Sequence, residues 1–185
     1  MRSTPLVYKD LVFVGTESGD FYCVDYSGEI KWRFQAKRAV TSSPIINDGI
    51  VYFGSVDSHV YAIDTSTGWI VWRYRMNKPT ISTPFIENKL LFTGGVDGMI
   101  YCLNLHSGRE VWQYEAENQI TGSPIVHNDS LYCGSVDGNI YCLESQTGRL
   151  RWKFETKGPI TGTPTAHENS VFIGSTDHRL YALLA

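Results

Sequence analysis

Residues Pro84–Ser123 read PFIENKLLFTGGVDGMIYCLNLHSGREVWQYEAENQITGS, and the same forty-residue pattern stands before and after them. Pro44, Pro84, Pro124 and Pro164 recur at intervals of forty, and Pro5 precedes Pro44 by thirty-nine. Each proline is followed by a glycine (Gly15, Gly54, Gly94, Gly134, Gly174) and then a tyrosine (Tyr22, Tyr61, Tyr101, Tyr141, Tyr181). A turn glycine comes next (Gly28, Gly68, Gly108, Gly148), and then a tryptophan (Trp32, Trp72, Trp112, Trp152). The residue missing from the first repeat falls in its turn, DYSG at 25–28 against DTSTG at 64–68. A sheet tolerates a deletion there. A fixed period of this length means blades or solenoid units.

Within a repeat the apolar period is two, which is the period of strands. In the fourth repeat, 123–126 (SPIV), 130–134 (SLYCG), 139–143 (NIYCL) and 149–154 (RLRWKF) read as strands A to D. Trp152 and Phe154 fall on one face of strand D, with Arg151 and Lys153 on the other. Asp137-Gly138 is hairpin chemistry: aspartate caps its own turn and glycine accepts positive φ. No helical window is visible. Four antiparallel strands per repeat predict an all-β fold, a β-propeller of four-stranded blades. The repeats run over 4–43, 44–83, 84–123, 124–163 and 164–185, the fifth three-stranded, as one propeller domain or propeller segment over 1–185.

Composition agrees. Eleven Tyr, eight Phe and five Trp suit sheets. Sixteen Lys plus Arg against nineteen Asp plus Glu give a net charge of −3. That argues against a sequence-independent nucleic-acid binder, which needs a basic stripe. There is no apolar run long enough for a membrane-spanning helix. MRSTPLVYKD at the start shows no apolar core of a signal peptide.

The stretch YAIDTSTG at 61–68 followed by Trp72 resembles the A-x-D-x-x-T-G-x-x-x-W signature of PQQ-like, quinoprotein-type propeller repeats. Such repeats build quinoprotein dehydrogenases, the outer-membrane-assembly lipoprotein and many bacterial sensor or scaffold regions. The resemblance implies that Trp32, Trp72, Trp112 and Trp152 dock onto the neighbouring blade. It also implies that strand A is innermost, so that the small residues before each proline, such as Thr41-Ser42-Ser43 and Thr121-Gly122-Ser123, line the axis. Relatives usually have seven or eight blades. Three arrangements therefore stay open: a five-bladed ring with one thin blade, a segment of a larger ring, or self-association through open blade edges.

Asp57, Asp97, Asp137 and Asp177 recur in the B–C turns, with Ser18 in the first repeat. Each is expected to cap its own turn rather than hold a cation. Asp25, Asp64, Asn104 and Glu144 play the same part in the C–D turns. His127 and His167 share a solvated loop slot, and His59, His106 and His178 are scattered. Cys23, Cys102 and Cys142 occupy a small-residue slot that is Ala62 and Ala182 elsewhere. Cys133 faces Cys142, as a disulfide would need, if the Asp137-Gly138 turn is a two-residue hairpin, and misses it if the turn is bulged. No zinc spacing is present. The resemblance implies that a quinone cofactor would need calcium, acid and Asn ligands from insertions, and often adjacent cysteines. The repeats are too short for such insertions, and no two cysteines are adjacent. No cofactor and no catalytic residue is therefore expected.

Trp69 breaks its slot, which holds Glu29, Arg109 and Arg149 elsewhere, and is the candidate partner contact. The D–A loops also vary: Lys37-Arg38, Asn77-Lys78, Glu117-Asn118-Gln119, Lys157-Gly158. The expected function is a non-catalytic scaffold for protein or ligand binding. The alternatives are a PQQ-dependent oxidoreductase fragment and a small-ligand sensor. Unpaired strand cysteines point to the cytoplasm, whereas many relatives are extracytoplasmic.

Overall fold

The computed structural model describes residues 3–185; Met1 and Arg2, inside the expected domain bounds, lie outside it. The chain divides into two compact units, Met1–Pro84 and Phe85–Ala185, and the boundary falls at the seam between the second and third repeats.

The first unit holds two four-stranded antiparallel sheets. The first sheet is β1 (Leu6–Tyr8), β2 (Leu11–Gly15), β3 (Asp20–Asp25) and β4 (Ile30–Gln35). The second is β5 (Ile45–Asn47), β6 (Ile50–Ser55), β7 (His59–Asp64) and β8 (Ile70–Arg75). The second unit holds two more sheets of four strands and one of three. They are β9 (Phe85–Glu87), β10 (Leu90–Gly94), β11 (Met99–Asn104) and β12 (Glu110–Glu115); then β13 (Ile125–His127), β14 (Ser130–Gly134), β15 (Asn139–Glu144) and β16 (Leu150–Glu155); then β17 (Thr165–His167), β18 (Ser170–Ser175) and β19 (Arg179–Leu184). In every sheet the strands follow one another in sequence order, each antiparallel to the last, as propeller blades do. The described residues contain no helix.

In the second, third and fourth repeats the A and B strands join through tight turns in which both central residues have positive φ, as at Asn88-Lys89 and Asn128-Asp129. Such turns match the right-handed twist of the flanking strands. The C and D strands share one irregularity. Their register shifts after Cys23, Ala62, Cys102 and Cys142, leaving one extra D-strand residue without a partner. Immediately before the shift the small residue pairs with the tryptophan: Cys23 with Trp32, Ala62 with Trp72, Cys102 with Trp112, Cys142 with Trp152. A small side chain opposite an indole leaves it room, which explains the Cys/Ala slot.

Within each unit the core lies between successive sheets. In the first unit Phe13, Phe21, Phe53, Tyr61 and Ile63 pack together, with Phe21 stacked on Phe53 at 4.0 Å. In the second unit one cluster joins the third and fourth repeats through Phe92, Trp112, Leu131 and Tyr141. Another joins the fourth and fifth through Tyr132, Ile140, Ile160 and Ile173.

The cysteine alternative resolves towards the bulged turn, and the disulfide expectation is corrected. Cys133 pairs with Tyr141, while Cys142 pairs with Tyr132. A one-residue offset puts neighbours on opposite faces. Accordingly Cys133 packs towards the third repeat and Cys142 towards the fifth. All four cysteines are free and buried.

Candidate functional site

The recurring polar residues are spent on joining one sheet to the next. Oδ1 of Asp137 accepts the backbone N–H of Asn139 at 2.7 Å, the turn cap expected of it. Its other oxygen does more: Oδ2 accepts the Tyr141 hydroxyl at 2.8 Å and the backbone N–H of Glu117, from the preceding repeat, at 3.1 Å. Asp57 repeats the arrangement with Tyr61 at 2.8 Å and Lys37 N–H at 3.0 Å, and Asp177 with Tyr181 at 2.6 Å and Lys157 N–H at 3.0 Å. Asp97 accepts from Tyr101 in the same way. Burial works to raise the Asp137 carboxyl, but the hydrogen bonds from Asn139 and Tyr141 outweigh it and hold the group below its usual range. Burial first, and the bond to Asp137 second, push the Tyr141 phenol well above its ordinary value. In the first repeat Ser18 replaces the aspartate. There Ser18 donates to Asp20 at 2.8 Å, and Asp20 pairs with Arg33 at 2.6 Å.

Two tryptophans dock forward onto the next sheet. The indole N–H of Trp32 donates to the Thr65 carbonyl at 2.9 Å, and that of Trp112 to the Ser145 carbonyl at 3.0 Å. Their rings lie against Gly68 and Gly148, both at positive φ, where an added Cβ would come within 2.8 Å and 2.6 Å of indole carbons. Trp72 is buried, while Trp152 is half-buried beside Tyr132. Gly28, in the shorter first turn, has open space around it. Gly108 closes its turn by donating to Asn104 at 2.9 Å.

In the first four repeats the glycine ten residues after the proline also has a reason that the sequence did not disclose, whereas Gly174 has open space around it. Gly15 and Gly54 make way for Val40 and Thr80, and Gly94 and Gly134 for Ile120 and Ile160. These β-branched residues themselves recur at intervals of forty, which is the signal that was available. Of the hydroxyls before the prolines, those of Thr83 and Thr163 are occupied, whereas those of Thr41 and Thr121 are buried without a hydrogen-bond partner among the described residues. Ser43 N–H donates to Thr83 Oγ1 at 3.3 Å, and Ser123 N–H to Thr163 Oγ1 at 3.2 Å. The C–D turn caps hold as expected, with Asp25 accepting from Ser27 and Glu29, and Asp64 from Ser66 and Thr67. His127 Nε2 lies 2.6 Å from the Glu168 carbonyl. No group of three or more His, Cys, Asp or Glu placed to hold a metal ion occurs among the described residues.

Two features fall outside this framework. Trp69 stands 77% exposed in its turn, followed on β8 by Ile70 and Val71 at 43% and 50%. On the second sheet a cavity of about 540 Å³ opens beside Arg73, Arg75, His59 and Lys37. Of these, Lys37 was legible as a variable loop residue and His59 as a scattered histidine, but Arg73 and Arg75 were not singled out by the sequence. The available signal was the same as for Trp69: Arg75 occupies a slot that is Gln35, Glu115 and Glu155 elsewhere.

A family model described as "Beta-alanine-activating enzyme, beta-propeller" matches residues 2–185. Among solved structures the chain resembles BamB from Moraxella catarrhalis, with a TM-score of 0.82 at 24% identity, over 95% of this chain and 55% of that one. It also resembles the computationally designed Ika8 protein, with a TM-score of 0.87 at 17% identity, over 98% of this chain and 57% of that one. At these identities the likeness is one of fold, and the chain spans little more than half the length of either structure. No curated protein sequence matches it.

Proposed function

The chain belongs to the beta-propeller family named for the beta-alanine-activating enzyme, and from that premise we propose that it is a non-catalytic scaffold that binds a protein partner. The observation that carries this reading is the exposed apolar run Trp69-Ile70-Val71 at the start of the edge strand β8. The recurring Asp, Tyr and Trp are consumed in joining sheets, so recognition falls to residues that depart from the repeat. An exposed tryptophan beside two aliphatic residues on a strand edge is the chemistry of a protein contact. In the third repeat the same slots hold Arg109, Glu110 and Val111, which break the run.

The test is a photo-cross-linking residue at position 69 in the full-length protein in its own cells. One discrete adduct is expected, lost with Val71→Lys and kept with Val111→Lys. An adduct indifferent to Val71→Lys overturns the assignment. The oxidoreductase alternative is tested with PQQ, calcium and a redox dye; no dye reduction is expected, and turnover overturns the non-catalytic reading.

The proposal includes a cytoplasmic location, supported by four free thiols and tested by cell fractionation. Self-association is a further part of it. β19 is an edge strand of the three-stranded sheet, with Leu180 and Leu184 exposed, and an open strand edge invites another strand. Light scattering of the purified chain should show a concentration-dependent dimer, which Leu180→Lys abolishes.

A further inference from the structure

Arg73 and Arg75 stand two residues apart on β8, so both side chains leave the same face of the sheet. Arg73 lies opposite Tyr61 on β7, and Arg75 opposite His59. Lys37 reaches the same cavity from the loop after β4. Three permanent cations and an imidazole thus border one opening, whose volume of about 540 Å³ lies within the small-molecule range.

The charges are unspent. At the Arg73 slot of the first sheet, Arg33 pairs with Asp20 at 2.6 Å; in the fourth, Lys153 pairs with Glu117 at 2.8 Å. No such ion pair engages Lys37, Arg73 or Arg75 among the described residues. The one carboxylate in the lining, Asp57, is almost fully buried and already saturated. Oδ2 accepts from Tyr61 and the Lys37 backbone, and Oδ1 accepts from the His59 backbone and lies 3.3 Å from His59 Nδ1. It therefore does not neutralise the rim by direct pairing. Nor does the fold require the cations, because the third sheet builds the same strand pair with Gln113 and Glu115 in these slots.

We propose that this cleft binds a small soluble phosphorylated ligand, its phosphate held by Arg73, Arg75 and Lys37. Guanidinium forks match phosphate oxygens in pairs, and two of them with an ammonium suit a dianion better than a single carboxylate. The cleft is independent of the Trp69 surface, so either reading stands without the other.

Calorimetric titration of the full-length protein with pyrophosphate tests it, with succinate as the carboxylate control at equal ionic strength. Saturable one-to-one binding of pyrophosphate is expected, with succinate at least about tenfold weaker. The double variant Arg73→Gln/Arg75→Gln should lose about tenfold or more in affinity while keeping the melting temperature of the unliganded protein. Arg149→Gln, an exposed turn arginine elsewhere, should change nothing. Absence of saturable binding, equal binding of succinate, or undiminished binding by the folded double variant overturns the proposal.

Discussion

Tyr141 donates its phenolic hydrogen to Oδ2 of Asp137 at 2.8 Å, and that same oxygen receives the backbone N–H of Glu117 from the preceding repeat. One carboxylate therefore ties its own hairpin to the neighbouring sheet. The bond is buried on the tyrosine side, since Tyr141 is 2% exposed.

Removing the hydroxyl with Tyr141→Phe should cost about 1.5–3 kcal/mol at neutral pH, the range for a hydrogen bond to a charged group. The pH dependence has a definite sign. The folded Asp137 carboxyl lies below its usual value, so its contribution is complete above about pH 4 and is lost as pH falls through the lower folded value. The folded Tyr141 phenol lies above its usual value, so its contribution is complete below about pH 10 and is lost as pH rises beyond that. Urea denaturation should show a flat difference between wild type and variant across this window, narrowing on the acid side. A difference that does not change down to pH 2.5 would sink the pairing as its cause.

Trp112 and Trp152 share a slot but not a setting. Trp112 donates to the Ser145 carbonyl and lies against Gly148, whereas Trp152 is only half-buried. Trp112→Ala should cost about 3–5 kcal/mol, the range for a large aromatic removed from a core. Trp152→Ala should cost clearly less. Denaturant midpoints of the two variants decide it, and equal losses would mean that docking onto the next repeat contributes nothing.

Gly68 and Gly28 separate backbone strain from packing. Both have positive φ, 73° and 86°, so alanine at either incurs about 1–2 kcal/mol of left-handed strain. Only at Gly68 does the new Cβ meet Trp32, which adds about 1–3 kcal/mol of overpacking. Gly68→Ala should therefore melt lower than Gly28→Ala. In the Gly68 variant the Trp32 fluorescence should also shift to the red as the indole is displaced.

What was legible in the sequence follows from these contacts. β14 matches the strand read at 130–134 because alternation and a turn bound it on both sides. The tryptophan slot was visible because nothing else of that size recurs. Its acceptor was not, because the Ser145 carbonyl is a backbone atom with no sequence signature. The Asp–Tyr pairing hid behind the turn-capping role of the aspartate. One oxygen caps and the other joins, and a motif reports only the residue. The first repeat held the clue, since Ser18 replaces the aspartate while Tyr22 is retained. The basic cleft escaped notice because Arg73 looks like an ordinary solvated strand residue until its missing counter-ion is seen in three dimensions.

The four thiols should be inert in the folded chain and free in the unfolded one. Loss of solvation pushes Cys23 up to about 11 and Cys102 and Cys133 up to about 12, and raises Cys142 in the same direction. The thiolate is the reactive form, so at pH 8 these sites are suppressed both by protonation and by burial. Iodoacetamide under native conditions should leave the mass unchanged over a period in which the unfolded, unreduced chain gains four adducts. Fewer than four adducts in the unfolded chain would restore a disulfide and contradict the register that places Cys133 opposite Tyr141. Rapid native labelling of Cys102 or Cys133 would instead mean that the sheets separate readily, because both side chains lie in the core joining the third and fourth repeats. Their labelling rate thus measures how often that seam opens, and Tyr141→Phe, which removes one of its ties, should raise it.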